Sequence, residues 1–546
     1  MENKPFEFEG FSLLYPDAAT KEAHVKGLDA PRIDAFTLEE LGLAEVFPLK
    51  NGTLDEFITA DPAVIRYREA VFGDLLAHEE IVKTFNKLMP VLLDITELRR
   101  LEVDSGDTAD YLSSMTEIEL YITSIDTLYE GLCAEGTAYE SEAVKRLSDH
   151  IRKLVESDYY AELNKRLAEL SSRVREIKSV TIGVNLDAQL RPREAGVLSI
   201  NPGTFRSGDT LHKILRLDFK NDAYTCIADL VPFGKKQNEN QKTALSLAFN
   251  SAIGDVYRQS LRSWKKIVQD YVLENTDFLL GLLPEFEFLV KGTNLLRALT
   301  IKGNKLTVPE VAPAAERRFA ATALYNPAVA LKVDDEMVTN DVIFDENAAI
   351  YVLTGPNRGG KSVITCAVGL CQAMMQLGLP VPAEKAIVSP ADGIFTHFPT
   401  GADDTIDKGR LGEECARLCE IFDAVTPESL VLLDESLSST GSFEASYIAA
   451  EVLAGLSRVG CRCIFSTHLH ELAAEVPAIN ERTRAEGGAP IDTLVAGMEE
   501  GQRSFRILRA KPDGKSYASD IAARYGLSYD SIMQKIKAGE EARGKV

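Results

Sequence analysis

The octapeptide Gly355-Pro356-Asn357-Arg358-Gly359-Gly360-Lys361-Ser362 restricts this chain more than any other feature, because it fits GxxxxGK[ST] and joins two runs of different character. Before it lies Ala349-Ile350-Tyr351-Val352-Leu353, a short β-rich run, and after it Val363 to Leu377 continues as a helix. Strand, loop and helix therefore occur in the order that a phosphate-binding loop requires. Glycines let the backbone N–H groups turn toward phosphates, and the helix N-terminus adds positive potential. Gly355 to Ser362, with Val363 behind them, are the expected nucleotide contacts, Lys361 reaching the β and γ phosphates of ATP and Ser362 holding Mg²⁺.

Two further strand ends bear on the same chemistry. Ser429-Leu430-Val431-Leu432-Leu433-Asp434-Glu435 is an apolar run ending in two carboxylates. Alone, such a pair is more often an exposed turn, but after a phosphate loop it predicts Asp434 in the Mg²⁺ shell and Glu435 polarising water. Cys461 to Ser466 is a third strand-like run, and it ends at Thr467-His468. A lone histidine is usually structural, yet its place in this series points to contact with the γ phosphate. The expected catalytic residues are Glu435 and His468, and the expected metal ligands are Ser362 and Asp434.

A chain of 546 residues is too long for one core. Residues 1–150 read as an all-α body, with Ala63 to Leu101 as the clearest helical stretch. From Leu147 apolar residues recur at Ile151, Leu154, Tyr160, Leu163, Leu167, Leu170, Val174 and Ile177, which predicts one long helix with a narrow stripe. A second stripe, from Ile253 to Tyr271, predicts a partner helix, and the pair would form a lever over 151–275. Between them, about 178–242, alternating β-branched runs and Pro/Gly punctuation predict a small β-rich insertion. That insertion is net positive, so it reads either as a solvated β element or as a DNA-facing tip carrying Arg191, Arg193, Arg206, Lys235 and Lys236. A return helix and connector occupy 276–320, and strands alternate with helices over 321–546, which predicts an α/β domain with a largely parallel sheet.

The formal charge of −23 argues against a chain coated in nucleic-acid-binding charge, so any such surface is local. Eight cysteines without paired CxxC spacing predict reduced thiols rather than a zinc site or a disulfide framework. The N-terminus lacks the pattern of an export signal, and the most apolar long run, Val363 to Ala383, carries Gln372 and Gln376, so it predicts a buried helix rather than a membrane span. A cytoplasmic location is the expectation.

The motifs resemble the MutS family of DNA-repair ATPases. The family loop TGPN-x-GGKS is matched from Thr354 to Ser362, with Arg358 at the variable place. Val338-Thr339-Asn340-Asp341, Val381-Pro382-Ala383, Asp392 to Thr396, Asp403-Asp404, Asp434-Glu435, Ser439-Thr440, Thr467 to Leu472, Ser516-Tyr517 and Ala523 to Leu527 follow in the family's order. The resemblance covers about 340–530 closely and earlier residues only in layout. It implies a multidomain fold: an α-helical core and lever with a small clamp-like β insertion, then an α/β ABC-type P-loop NTPase domain. It further implies a homodimer that hydrolyses ATP to open and close on double-stranded DNA, mismatched or branched, in mismatch repair or recombination, with downstream repair factors as further partners and no membrane.

Two departures qualify this. No Phe-x-Glu occurs in the first hundred residues, so mismatch reading through the family's N-terminal wedge is not expected. The signature loop reads Lys408-Gly409-Arg410-Leu411-Gly412-Glu413-Glu414 without the family's serine, so Lys408 or Arg410 is expected to supply a cation to the partner's γ phosphate. The rival readings are another ABC-type coiled-coil ATPase and a non-hydrolysing scaffold. The arm lies wholly before Lys361, which disfavours the first, and Glu435 disfavours the second. A nuclease is not expected, since the chain reaches Val546 without the extra module of the Smr-tailed relatives.

Overall fold

In the computed structural model two compact units divide the chain, Ala77–Glu287 in one and Phe11–Leu76 with Phe288–Val546 in the other. The structure describes residues 11–103, 110–201, 204, 206–207, 225–226, 273–399, 410–511 and 525–543, apart from 29, 34, 51, 135, 177–178, 187, 190–191, 335, 357 and 500–501.

The first unit is helical, with helices Glu79–Val103, Asp110–Leu132, Glu142–Val155 and Asp158–Glu176 packed on one another. Close approach of the first two depends on Gly131, where a Cβ would lie 1.8 Å from Thr84 Oγ1. The apolar stripe beginning at Leu147 is buried through Ile151, Leu154, Tyr160 and Leu163. The single long helix expected there is instead two. Ser157 caps the second by accepting from Tyr160 N–H at 3.2 Å, and the six-residue step from Leu154 to Tyr160 resets the stripe at the break. Tyr160 then anchors the new helix, donating to Asp126 at 2.8 Å.

Strands β1 (Ser179–Leu186) and β2 (Pro192–Asn201) pair antiparallel, and two short strands, β3 (Arg206–Ser207) and β4 (Thr225–Cys226), pair in parallel. The stripe from Ile253 to Tyr271 lies outside the described residues, as do Arg191, Lys235 and Lys236. Among the described residues no helix is long and apolar enough to cross a membrane.

The second unit is built on a six-stranded sheet of order β10-β11-β12-β8-β13-β14. Its strands are β8 (Ile350–Thr354), β10 (Ile394–His397), β11 (Leu430–Asp434), β12 (Arg462–Ser466), β13 (Ile491–Glu499) and β14 (Gln502–Arg509). All neighbours are parallel except the antiparallel edge strand β14. Every residue of β8, β11 and β12 is buried, the pattern of strands covered on both faces. Helices Ser442–Val459 and His470–Arg484 join these strands in one apolar cluster through Leu453, Leu456, Leu472 and Val476. The helix Lys361–Gln376 packs against β11, with Gly369 in contact with Leu432. A second sheet of order β5-β9-β6-β7 flanks this core, formed by Glu310–Val311, Lys385–Val388, Phe319–Leu324 and Asn340–Phe344. The largely parallel sheet of the sequence reading is thus one of two, and the second is mixed.

The expected helical body over 1–150 is not one unit. Phe11–Leu76 groups with the strands, because its backbone completes theirs: Ile394 N–H donates to the Arg32 carbonyl at 3.1 Å and Arg32 N–H to the Asp392 carbonyl at 2.8 Å. Gln376 adds a bond to the Thr59 carbonyl at 3.1 Å, and Phe57 stacks on Phe288 with ring centroids 4.6 Å apart. The helix Leu283–Ile301 carries the boundary between the units, inside the expected return segment.

Candidate functional site

The loop Gly355–Gly360 leaves the C-terminal end of β8 and enters the helix Lys361–Gln376 through Gly360, which has φ 94°. Gly355 has φ 145°, and a Cβ there would lie 2.6 Å from Ala496 Cβ and 3.1 Å from its backbone nitrogen. Only glycine lets the loop pass this close to β13. Gly355→Ala is therefore expected to lower stability by about 1–3 kcal/mol and to weaken nucleotide binding. Gly73→Ala, on an open helical face with nothing within 4 Å, is expected to raise stability by about 0.5–1 kcal/mol. Thermal unfolding of the two variants checks the opposite signs.

Lys361 is 4% exposed, and its ammonium donates to the carbonyls of Gly355 at 3.2 Å and Pro356 at 3.3 Å. Burial holds its pKa below the usual lysine value, opposed by Glu435 and Asp434. His468 Nδ1 lies 3.4 Å from the ammonium, and its Nε2 lies 2.6 Å from Glu435 Oε1. The ammonium lies almost as close to Nε2, at 3.5 Å, so it meets the ring edge while Nε2 faces the carboxylate, and the three side chains are in contact from Lys361 through His468 to Glu435. The parallel register makes this possible, since Asp434 faces Ser466 across β11 and β12 and delivers the next residues of both strands to one point.

Asp434 is 5% exposed, and burial pushes its carboxyl pKa up, opposed by the Ser362 and Ser466 hydroxyls and by Lys361. Its Oδ1 is buried and makes no direct hydrogen bond. A carboxylate oxygen left so beside a serine hydroxyl suits a hard divalent cation, and Ser362 with Asp434 are the residues to hold one.

A cavity of about 470 Å³ opens beside the loop, lined by Arg358, Gly359, Gly360, Lys361, Ser362 and Val363 on one side. The rest of its lining is mainly apolar, with Tyr325, Val329, Met337, Val338 and Phe505, and includes Asn326, Glu336 and Asn340; the sequence reading does not assign these residues a contact with ligand. Asn326 ties that lining to the first turn of the helix after the loop, capping the helix Pro327–Lys332 and donating to the Val363 carbonyl at 3.2 Å. The Asn326-Pro327 dipeptide was the available signal, as a helix cap followed by proline. Asn357 and Lys408 lie outside the described residues, and so does the side chain of Arg410, which opens the helix Arg410–Ala424. At the near end of that helix Glu414 accepts from Ser439 at 3.1 Å, joining the signature segment to the Ser439-Thr440 turn.

Comparison with known proteins finds matches along most of the chain. Residues 351–507 match the model of MutS domain V, and residues 60–301 match the MutS2 N-terminal domain. A DNA mismatch repair protein MutS of Prochlorococcus marinus is 28% identical over 410 residues, 73% of this chain and 42% of that protein. The MutS proteins of Fervidobacterium nodosum and Myxococcus xanthus are each 33% identical, over 207 and 249 residues. These alignments take in 37% and 43% of this chain, and 24% and 26% of the two relatives. The chain spans less than half the length of these relatives. Two MutS-family models matched one after the other along the chain, together with the MutS relatives, support membership of the MutS family.

Proposed function

We propose that this chain is a MutS-type ATPase that couples ATP hydrolysis to DNA binding, in mismatch repair or recombination. The observation that carries the reading is the convergence of Lys361, His468 and Glu435, with buried Asp434, at the ends of three parallel strands. Backbone N–H groups of the loop and Lys361 bind the phosphates of ATP, and the apolar wall of Val338 and Phe505 takes the base. Ser362 and Asp434 hold Mg²⁺, which when bound neutralises developing charge on the phosphates. Glu435 orients the attacking water, and His468 holds the Glu435 carboxylate while its other face meets the γ phosphate.

The family match also favours a homodimer, in which Lys408 or Arg410 of one subunit completes the site of the other. Closing two such sites would move the arms together around double-stranded DNA. Titrating mismatched, branched and plain duplex DNA, with and without ATP, tests the reading. Affinity for at least one duplex is expected to change by about fivefold or more on ATP addition. A chain whose DNA affinity ignores ATP, and whose turnover ignores DNA, would refute the coupling.

A further inference from the structure

Glu435 and Leu437 both adopt left-handed backbone, with φ 48° and 66°. Neither is glycine, so their surroundings must hold them there. One restraint is the Glu435 N–H, which donates to the Ser466 carbonyl at 2.8 Å. The other acts on Ser436, which stands between the two and is 4% exposed. Its hydroxyl donates to the His397 carbonyl at 3.1 Å and lies 2.8 Å from His397 Nδ1. One hydroxyl proton cannot serve both contacts, so the ring supplies the second and carries its proton on Nδ1.

His397 is 2% exposed at the end of β10, in register with Leu433 of β11, so the sheet delivers it beside the turn that follows Asp434. Burial, reinforced by the nearby Arg417 charge, holds its pKa down at about 4, and the ring is neutral at neutral pH. Its Nε2 is buried without a direct hydrogen-bond partner, and the Glu414 backbone nearby opposes the fall in its pKa.

We propose that His397 is a positioning residue for ATP hydrolysis: the reciprocal His397–Ser436 clamp fixes the turn in which Glu435 aims at the attacking water. This rests on the assignment of Glu435 given above. His397 does not line the cavity beside the nucleotide loop, and it acts through Ser436.

The test uses the full chain with His397→Leu, Ser436→Ala, the double variant, His397→Asn, and Glu435→Gln in parallel. Each single clamp variant is expected to lose about 10- to 100-fold in kcat, the effect of a small misplacement of a reacting group, while the Kd for ATP stays within about threefold. The double variant is expected to be no worse than the worse single, because both remove one interaction. His397→Asn, whose amide N–H takes the place of Nδ1–H, is expected to recover most of the loss. Ser436→Ala removes a single hydroxyl and keeps the test open where His397→Leu fails to fold. Normal kcat in the clamp variants, with Glu435→Gln stalled, overturns the clamp alone. Additive losses, or an equal loss of ATP affinity, overturn positioning in favour of packing. Normal turnover in Glu435→Gln, or a wild-type chain without ATPase activity, overturns the assignment of Glu435 and the clamp with it.

Discussion

Glu435→Gln is expected to keep ATP bound and to cut turnover on the order of 10²- to 10⁴-fold, the usual worth of a positioned general base. The amide has nearly the shape of the carboxylate and still accepts from His468, whose Nε2 lies 2.6 Å from Oε1 in the native chain. What it lacks is the charge that draws a proton from water. The Glu435 carboxylate lines the cavity and is only partly buried, so the substitution leaves no unpaired buried group and the fold should hold. Single-turnover assays separate the two outcomes: ATP retained without product supports the role, and an unchanged rate removes it.

Lys361→Ala is expected to abolish ATP binding at working concentrations. The ammonium is buried and donates to two carbonyls of its own loop, Gly355 and Pro356, so it is already stripped of most of its water. Removing one member of a buried, hydrogen-bonded charge pair costs about 2–5 kcal/mol, on the order of 30- to 5000-fold in affinity. The same variant probes the expected dimer. Mixed with a Lys408→Ala, Arg410→Ala subunit, each inactive alone, it is expected to restore part of the activity, because one mixed site carries both defects and the other neither. Equilibrium nucleotide binding and the ATPase rate of the mixture are the measurements. Recovery excludes a site built within one chain; no recovery, with mixed dimers shown to form, means that the loop does not act across subunits or that one sound site is insufficient.

Much of the layout of the candidate site is legible in the sequence, for reasons that are local. A run such as Leu430–Asp434 is apolar because both faces of a parallel strand are covered, and the residues after it can only project from its end. The phosphate loop is set by glycines whose backbone angles other residues avoid, as at Gly355 and Gly360. His468 followed from its place after a strand, and the register of β11 with β12 brings it to Glu435.

Other features were not legible, because they depend on partners far along the chain. The helical pattern of residues 11–76 says that one face is apolar but not which surface covers it, so its grouping with the strands had no local sign. The break at Ser157 was hidden by an apolar series that counts correctly on either side of it. Tyr325, Val338 and Phe505 reach one cavity from three separate stretches of sequence.

The sequence by itself therefore determined where the phosphate-loop motif stands, the order of strands and helices around it, and which side chains are candidates at the strand ends. These depend on spacing, backbone freedom and side-chain chemistry within a few residues of one another. The tertiary structure alone decided that Lys361, His468 and Glu435 meet in one cluster, that a mainly apolar lining faces the loop, and that His397 grips Ser436. The reason is physical: β10, β11, β12 and β8 lie side by side only after folding, and sheet register, which no short window of sequence encodes, sets which of their ends meet.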